Sequence, residues 1–183
     1  MRASGMPFNS NAFRLYLAGL CLSSVLIVGS LEAEPAGLSP VTWPCVVRVS
    51  EEMNVPVALI LSIMDAEDGR VGRVSGNKNG SYDIGPMQIN SWWLPLISLA
   101  GVSEENLLND GCVNVAVAGW LLRELLDKHK SPEAAIALYH SLDPYYGRRY
   151  LHSVLKKALK LDVNRVLLKA NETVPGRLYG EDE

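Results

Sequence analysis

The run Asn79–Asn90, NGSYDIGPMQIN, sets Gly80, Asp83, Gly85 and Gln88 in one short stretch between long apolar segments. Gly, Asn, Asp and Ser make turns, and Ile84, Met87 and Ile89 alternate with smaller or polar residues in the manner of short strands. The local expectation is a small hairpin or ribbon. A ribbon this short is marginal on its own and carries its polar side chains at a cost. Those side chains therefore serve either a function or a polar network that staples the core.

On either side of the ribbon the pattern is helical. Asn54 is placed to cap VPVALILSIMDAED, whose apolar residues are too dense for a one-sided helix and predict one buried nearly all round. Gly69 and Gly72 then stop it. Glu67 falls in its last turn, just before that exit. Upstream, Thr42 starts a helix to about Met53, with Pro44 in its first turn and Cys45 beside it. Downstream, a short helix starts near Ser91 and is interrupted by Pro95, and another begins at Ser103. Asp110 caps the longest helix, GCVNVAVAGWLLRELLDKHK, where Ala116, Ala118 and Gly119 permit close packing and Cys112 sits in the first turn. Ser131 and Pro132 open the next helix, and Pro144 opens one reaching about Leu161. The expected fold is mainly α with a small β-ribbon.

A chain of 183 residues that is 48% hydrophobic has the material for one domain with a sizeable core, plus extensions. Its formal net charge of −3 gives no reason at the level of composition to expect nucleic acid. Charge is uneven, however: Arg148, Arg149, Lys156, Lys157, Lys160, Arg165 and Lys169 face one acid, Asp162, across that interval. Such a run is either a solvated helix face or a surface toward an anionic polymer or a membrane.

Residues 1–33 have the form of an export signal, with Arg2 and Arg14 followed by an uncharged run from Leu15 to Leu31 and a cleavage position after Ala33. At about 1.5 Å per residue that run spans roughly 26 Å, a little short of a bilayer core, so an uncleaved inner-membrane anchor is the alternative. Cleavage would remove Cys21 and leave Cys45 and Cys112, two thiols in an oxidising compartment that are expected to pair. His129, His140 and His152 have no ligand-like spacing to the cysteines, and no metal, nucleotide or other cofactor is expected.

The chemistry centres on Glu67. A carboxyl in the last turn of an apolar helix, with Asp65 and Asp68 adding like charge, is expected to have a raised pKa suited to a general acid. Asp83, Gln88, Asn90, Trp92 and Trp93 follow at a distance that lets them line a groove for a sugar polymer, tryptophans being good platforms for sugar faces and equally good core residues.

Four blocks in order, ALILSIMDAEDG, NGSYDIGPMQIN, LLNDGCVNVAVAGWLL and AIALYHS, resemble the soluble-type lytic transglycosylase domain of the lysozyme-like superfamily. The likeness is greatest to the small exported members that serve secretion, conjugation and type IV pilus machines. It covers about residues 43–160, leaving 161–183 as an extension whose end, NETVPGRLYGEDE, is expected to be disordered. The family's Glu-Ser-Gly reads here as Glu67-Asp68-Gly69, its Gly-Leu-Met-Gln-Ile as Gly85-Pro86-Met87-Gln88-Ile89, and its Ala-Tyr-Asn as Leu138-Tyr139-His140. The resemblance implies a periplasmic enzyme on peptidoglycan strands, with Glu67 as acid and base, and with Met87 and Gln88 in the substrate groove. It gives Tyr139 to positioning the sugar or the glutamate, and matches Cys45–Cys112 to a disulfide of the secretion-associated members. Asp68 for serine and His140 for asparagine change the hydrogen bonding of that groove.

The ribbon also resembles that of animal-type lysozymes, in which an aspartate at the place of Asp83 is the second carboxylate. Asp83 is thus either a catalytic partner about 5 Å from Glu67 in a retaining hydrolase, or a tie that holds the ribbon. A wall-binding assembly protein without turnover is the third expectation, motivated by the substitutions at Asp68 and His140.

Overall fold

The structure, a computed structural model, describes residues 37–129 and 131–161. The expected signal segment and the extension beyond Leu161 lie outside these residues. In chain order the elements are α1 (Trp43–Met53), α2 (Val57–Glu67), β1 (Val74–Gly76), β2 (Tyr82–Ile84) and β3 (Ile89–Asn90). A 3-10 turn (Ser91–Trp93) follows, then α3 (Leu94–Leu99), α4 (Glu104–Asn109), α5 (Gly111–Lys128), α6 (Pro132–His140) and α7 (Pro144–Ala158). The three strands form one antiparallel sheet in the order β1-β2-β3, and the rest is helical.

α5 runs through the core, with Val115, Val117, Ala118 and Leu122 fully or almost fully buried. α1 packs on one side of it and α6 on another. The small residues expected to allow close approach do so at Gly119, where a Cβ would come within 2.5 Å of Val49 Cγ1 on α1. Cys45 and Cys112 form a disulfide across the same pair of helices, with Cα atoms 5.7 Å apart and a sequence separation of 67. Closing a loop of that length stabilises the fold by about 4 kcal/mol in the chain-entropy account.

α2 is the helix that carries Glu67. Ile60, Leu61, Ile63 and Met64 are buried in succession, each contributing about 2 kcal/mol by leaving water. Its boundaries differ from those read in the sequence. Asn54 ends α1 instead of capping α2, in the left-handed conformation at φ 49°, and α2 starts behind Pro56 without a side-chain cap. Asparagine serves at both kinds of helix end, because its short amide tolerates left-handed backbone as readily as it caps. At the other end Asp68, not Gly69 or Gly72, takes the left-handed position at φ 51°.

Asp110 and Ser103 cap α5 and α4 through their side chains, as expected. Near Ser91 the chain makes the 3-10 turn, capped by Asn90, and Pro95 does not interrupt a helix but falls in the first turn of α3, where its missing N–H costs nothing. Met87 lies in the β2–β3 turn and not on a strand. β1 is a third strand that the sequence did not announce, being three exposed residues with no apolar alternation. α7 closes the domain by packing on α2 and α6, and a Lys157–Asp65 ion pair of 3.0 Å ties it to α2.

Candidate functional site

The exit of α2 and the β2–β3 turn are locked together by two glycines. At Gly69 a Cβ would lie 2.1 Å from the carbonyl oxygen of Gly85 and 2.7 Å from Gln88 Nε2, so the ribbon passes directly over the residues after Glu67. At Gly85, φ is +70° and a Cβ would meet Asn114 Nδ2 at 2.3 Å. Only glycine satisfies both demands there.

Asn114 is the residue that fixes this turn. It is wholly buried on α5, donates to the carbonyls of Ile84 (2.9 Å) and Leu107 (3.0 Å), and accepts from the Met87 N–H at 2.9 Å. Asn114 thereby gives a partner to three backbone groups. The sequence contains Asn114 within an apolar block but offers no sign of its role, since Ile84 and Met87 are remote in the chain.

Asp83 sits at the middle of β2, opposite Ser75 on one side and Asn90 on the other. Asn77 Nδ2 donates to its Oδ2 at 2.9 Å, and Asn90 Nδ2 to its Oδ1 at 2.8 Å. Both amides also donate to the Ser81 hydroxyl, at 3.2 and 3.1 Å, and that hydroxyl in turn donates to Asn79 Oδ1 at 2.8 Å. The polar residues of the opening stretch therefore form a network that holds the ribbon and orients one carboxylate.

Glu67 meets this ribbon from the end of α2. Burial pushes its carboxyl up to about 7, the Asp83 carboxylate adds to that shift, and the hydroxyl of Tyr150 opposes it. The raised value agrees with the sequence reading, but the like charge comes from Asp83 across the site, not from Asp65 or Asp68. Asp65 is paired with Lys157 instead.

Tyr150, on α7, went unnoticed in the sequence, where an aromatic in a basic helix has no distinguishing mark. It is buried, and its hydroxyl faces Glu67 in a contact looser than a full hydrogen bond, with no other partner among the described residues. Burial raises its pKa, and the neighbouring Glu67 and Tyr139 raise it further. The phenol is thus a neutral donor at every relevant pH.

Tyr139 donates from its hydroxyl to the Met87 carbonyl at 2.9 Å, joining α6 to the ribbon, and its ring stacks near Tyr150 with centroids 6.4 Å apart. Burial holds its pKa well above the phenol value, with Glu67 and Asp83 adding to it. His140 lies flat on Tyr150, rings 4.5 Å apart and 3° from parallel. Its burial lowers its pKa while Asp83 pulls the other way.

The structure therefore gathers Glu67, Asp83, Tyr139 and His140 around one point and adds Tyr150. Gln88 is adjacent, at φ 49°, with its amide donating to the Gly85 carbonyl at 2.8 Å. The Met87 side chain is wholly buried, so this residue meets the site through its backbone. Trp92 is partly exposed and Trp93 packs against the core. Among the described residues no three His, Cys, Asp or Glu side chains converge as a metal site, and no helix is long and apolar enough to cross a membrane.

The chain thus forms a disulfide-linked helical domain that sets a buried carboxyl of raised pKa against a ribbon carboxylate. No family model matches the chain. Among curated proteins it is similar to Invasion protein IagB of Salmonella typhimurium, 29% identical over 98 residues, which are 53% of this chain and 61% of that protein. It is also similar to Protein IpgF of Shigella flexneri, 33% identical over 98 residues, or 53% of this chain and 64% of that protein. The likeness thus spans less than two thirds of either relative.

Proposed function

We propose that the protein is an exported peptidoglycan lytic transglycosylase that opens the wall locally for an envelope-spanning secretion, conjugation or pilus machine. The observation that carries this reading is Glu67, a buried carboxyl poised near pKa 7 at the meeting of α2 and the ribbon. A group so poised is half protonated at neutral pH and can serve as acid and then as base without leaving its place. The similarity to a protein named for invasion fits a role at the cell envelope.

In this mechanism Glu67 gives its proton to the glycosidic oxygen as the C1–O bond breaks, and the substrate's own N-acetyl carbonyl oxygen bonds to C1. Glu67, now a carboxylate, takes the proton of the 6-hydroxyl, whose oxygen attacks C1 and expels the acetamido oxygen. The product carries a 1,6-anhydro end, no water is consumed, and Glu67 is protonated again. The Tyr150 hydroxyl supports the carboxylate between the two transfers, and Tyr139 holds the ribbon in place through Met87. Asp83 keeps the ribbon in shape and holds the Glu67 proton on by its charge.

A second reading rests on that same charge. Asp83 has no cation against it among the described residues and is felt electrostatically by Glu67, which is what a retaining muramidase asks of its second carboxylate. Mass spectrometry of fragments released from purified peptidoglycan separates the two. Anhydro-muramic acid ends support the transglycosylase, reducing ends heavier by one water support the hydrolase, and release of nothing leaves a wall-binding protein.

A further inference from the structure

α7 has two different faces. Gly147, Tyr150 and Val154 are buried, and Tyr150 reaches Glu67 from that side. On the opposite face Tyr145, Arg148, Arg149, Leu155, Lys156 and Leu159 are exposed, Leu159 at 89% and Tyr145 at 55%. No acidic residue occurs between Pro144 and Lys160. Lys157 is engaged with Asp65, but Arg148, Arg149, Lys156 and Lys160 have no ion pair among the described residues. Arg149 is held along the helix by the Tyr145 hydroxyl, 3.0 Å away, with its guanidinium over the tyrosine ring.

Two features of this face point to the chemistry of its partner. Four cations between Arg148 and Lys160, on α7 and the turn that follows it, without intervening acids, complement a surface of negative charge. A soluble polyanion, however, gives leucines nothing to bury in. Interleaved Leu155, Leu159 and Tyr145 suit an interface where headgroups meet acyl chains, the arrangement of helices that lie in the plane of a bilayer.

We propose that the outer face of α7 docks on an anionic phospholipid membrane. Because side chains on opposite sides of one helix point in opposite directions, docking by this face turns the Tyr150–Glu67 side away from the lipid. The site would then work on material that lies next to the membrane but outside it. The proposal rests on α7 alone and stands or falls separately from the reading of Glu67.

The test is flotation of the full chain with vesicles of phosphatidylglycerol and phosphatidylcholine, against phosphatidylcholine alone, at low and high salt. Every chain compared shares the apolar run of residues 15–31, and its contribution is read from the phosphatidylcholine vesicles and subtracted. Arg148→Ala with Lys156→Ala is expected to weaken partition onto the anionic vesicles about 25-fold at low salt, five-fold for each basic side chain. The difference should shrink at high salt. Leu155→Ser with Leu159→Ser is expected to weaken binding at both salt concentrations. Equal partition of parent and variants would overturn the proposal. So would loss of binding to purified sacculi, or of self-association without lipid, in variants whose vesicle binding is unchanged.

Discussion

Tyr150 and Glu67 face each other across the packing of α7 on α2, a buried phenol that makes no full hydrogen bond and a buried carboxyl whose proton it helps to loosen. The phenol donates more strongly to the ionised carboxyl than to the protonated one, and the ionised carboxyl is the state between the two proton transfers. Tyr150→Phe is therefore expected to raise the Glu67 pKa and to move the alkaline limb of the kcat/KM profile upward. Because the hydroxyl is not well satisfied at rest, its removal should change stability by less than about 1 kcal/mol. A large loss of stability with an unmoved profile would make Tyr150 merely structural.

Glu67 itself carries a linkage signature. Its pKa in the folded chain, about 7, lies above the ordinary 4.5, so the native state binds its proton more tightly than the unfolded state. The stability associated with that proton is present in full below pH 4.5 and is lost as pH rises through 7. Glu67→Gln should match the parent in acid and exceed it above pH 7, by up to about 3 kcal/mol. Denaturant titrations at pH 4, 6 and 8 read this directly, and parallel curves for the two proteins would refute the buried-carboxyl account.

Asp83→Asn changes two things at once. It withdraws the like charge opposite Glu67, so the alkaline limb should move below pH 7. It also sets an amide against the two amide donors of Asn77 and Asn90, at a cost of about 1–3 kcal/mol. Under the transglycosylase reading the variant keeps activity in mild acid. Under the muramidase reading it loses at least about 100-fold at every pH.

Asn114→Leu keeps the branching of the side chain but strands the Met87 N–H and the Ile84 and Leu107 carbonyls in the core. A loss of at least about 3 kcal/mol is expected from several buried groups left unpaired. The Cys45–Cys112 bridge should remain formed in the variant, which a thiol titration of the folded protein would check.

Much of this was legible in the sequence, for identifiable reasons. α2 and its glutamate stood out because apolar density and a turn-forming exit mark a buried helix end locally. The ends of α4 and α5 were marked by Ser103 and Asp110, whose capping is a matter of neighbouring residues. What escaped depends on contacts remote in the chain. Asn114 acts on Ile84 and Met87 and Tyr150 acts on Glu67, all more than twenty positions away, and nothing in their own neighbourhood distinguishes them. β1 escaped because an exposed three-residue strand has no hydrophobic period. Asn54 was misplaced because one residue type serves two opposite helix ends. The polar ribbon lay between two readings, function and staple, and the network around Asp83 shows the staple in place while leaving its charge directed at Glu67.

The most direct test of the central claim is the rate at which the protein solubilises purified peptidoglycan across pH 5 to 9, with Glu67→Gln alongside. The rate is expected to fall above an apparent pKa near 7 and to drop at least about 1,000-fold in the variant. Solubilisation by the Glu67→Gln protein at anything near the parent rate would contradict that claim.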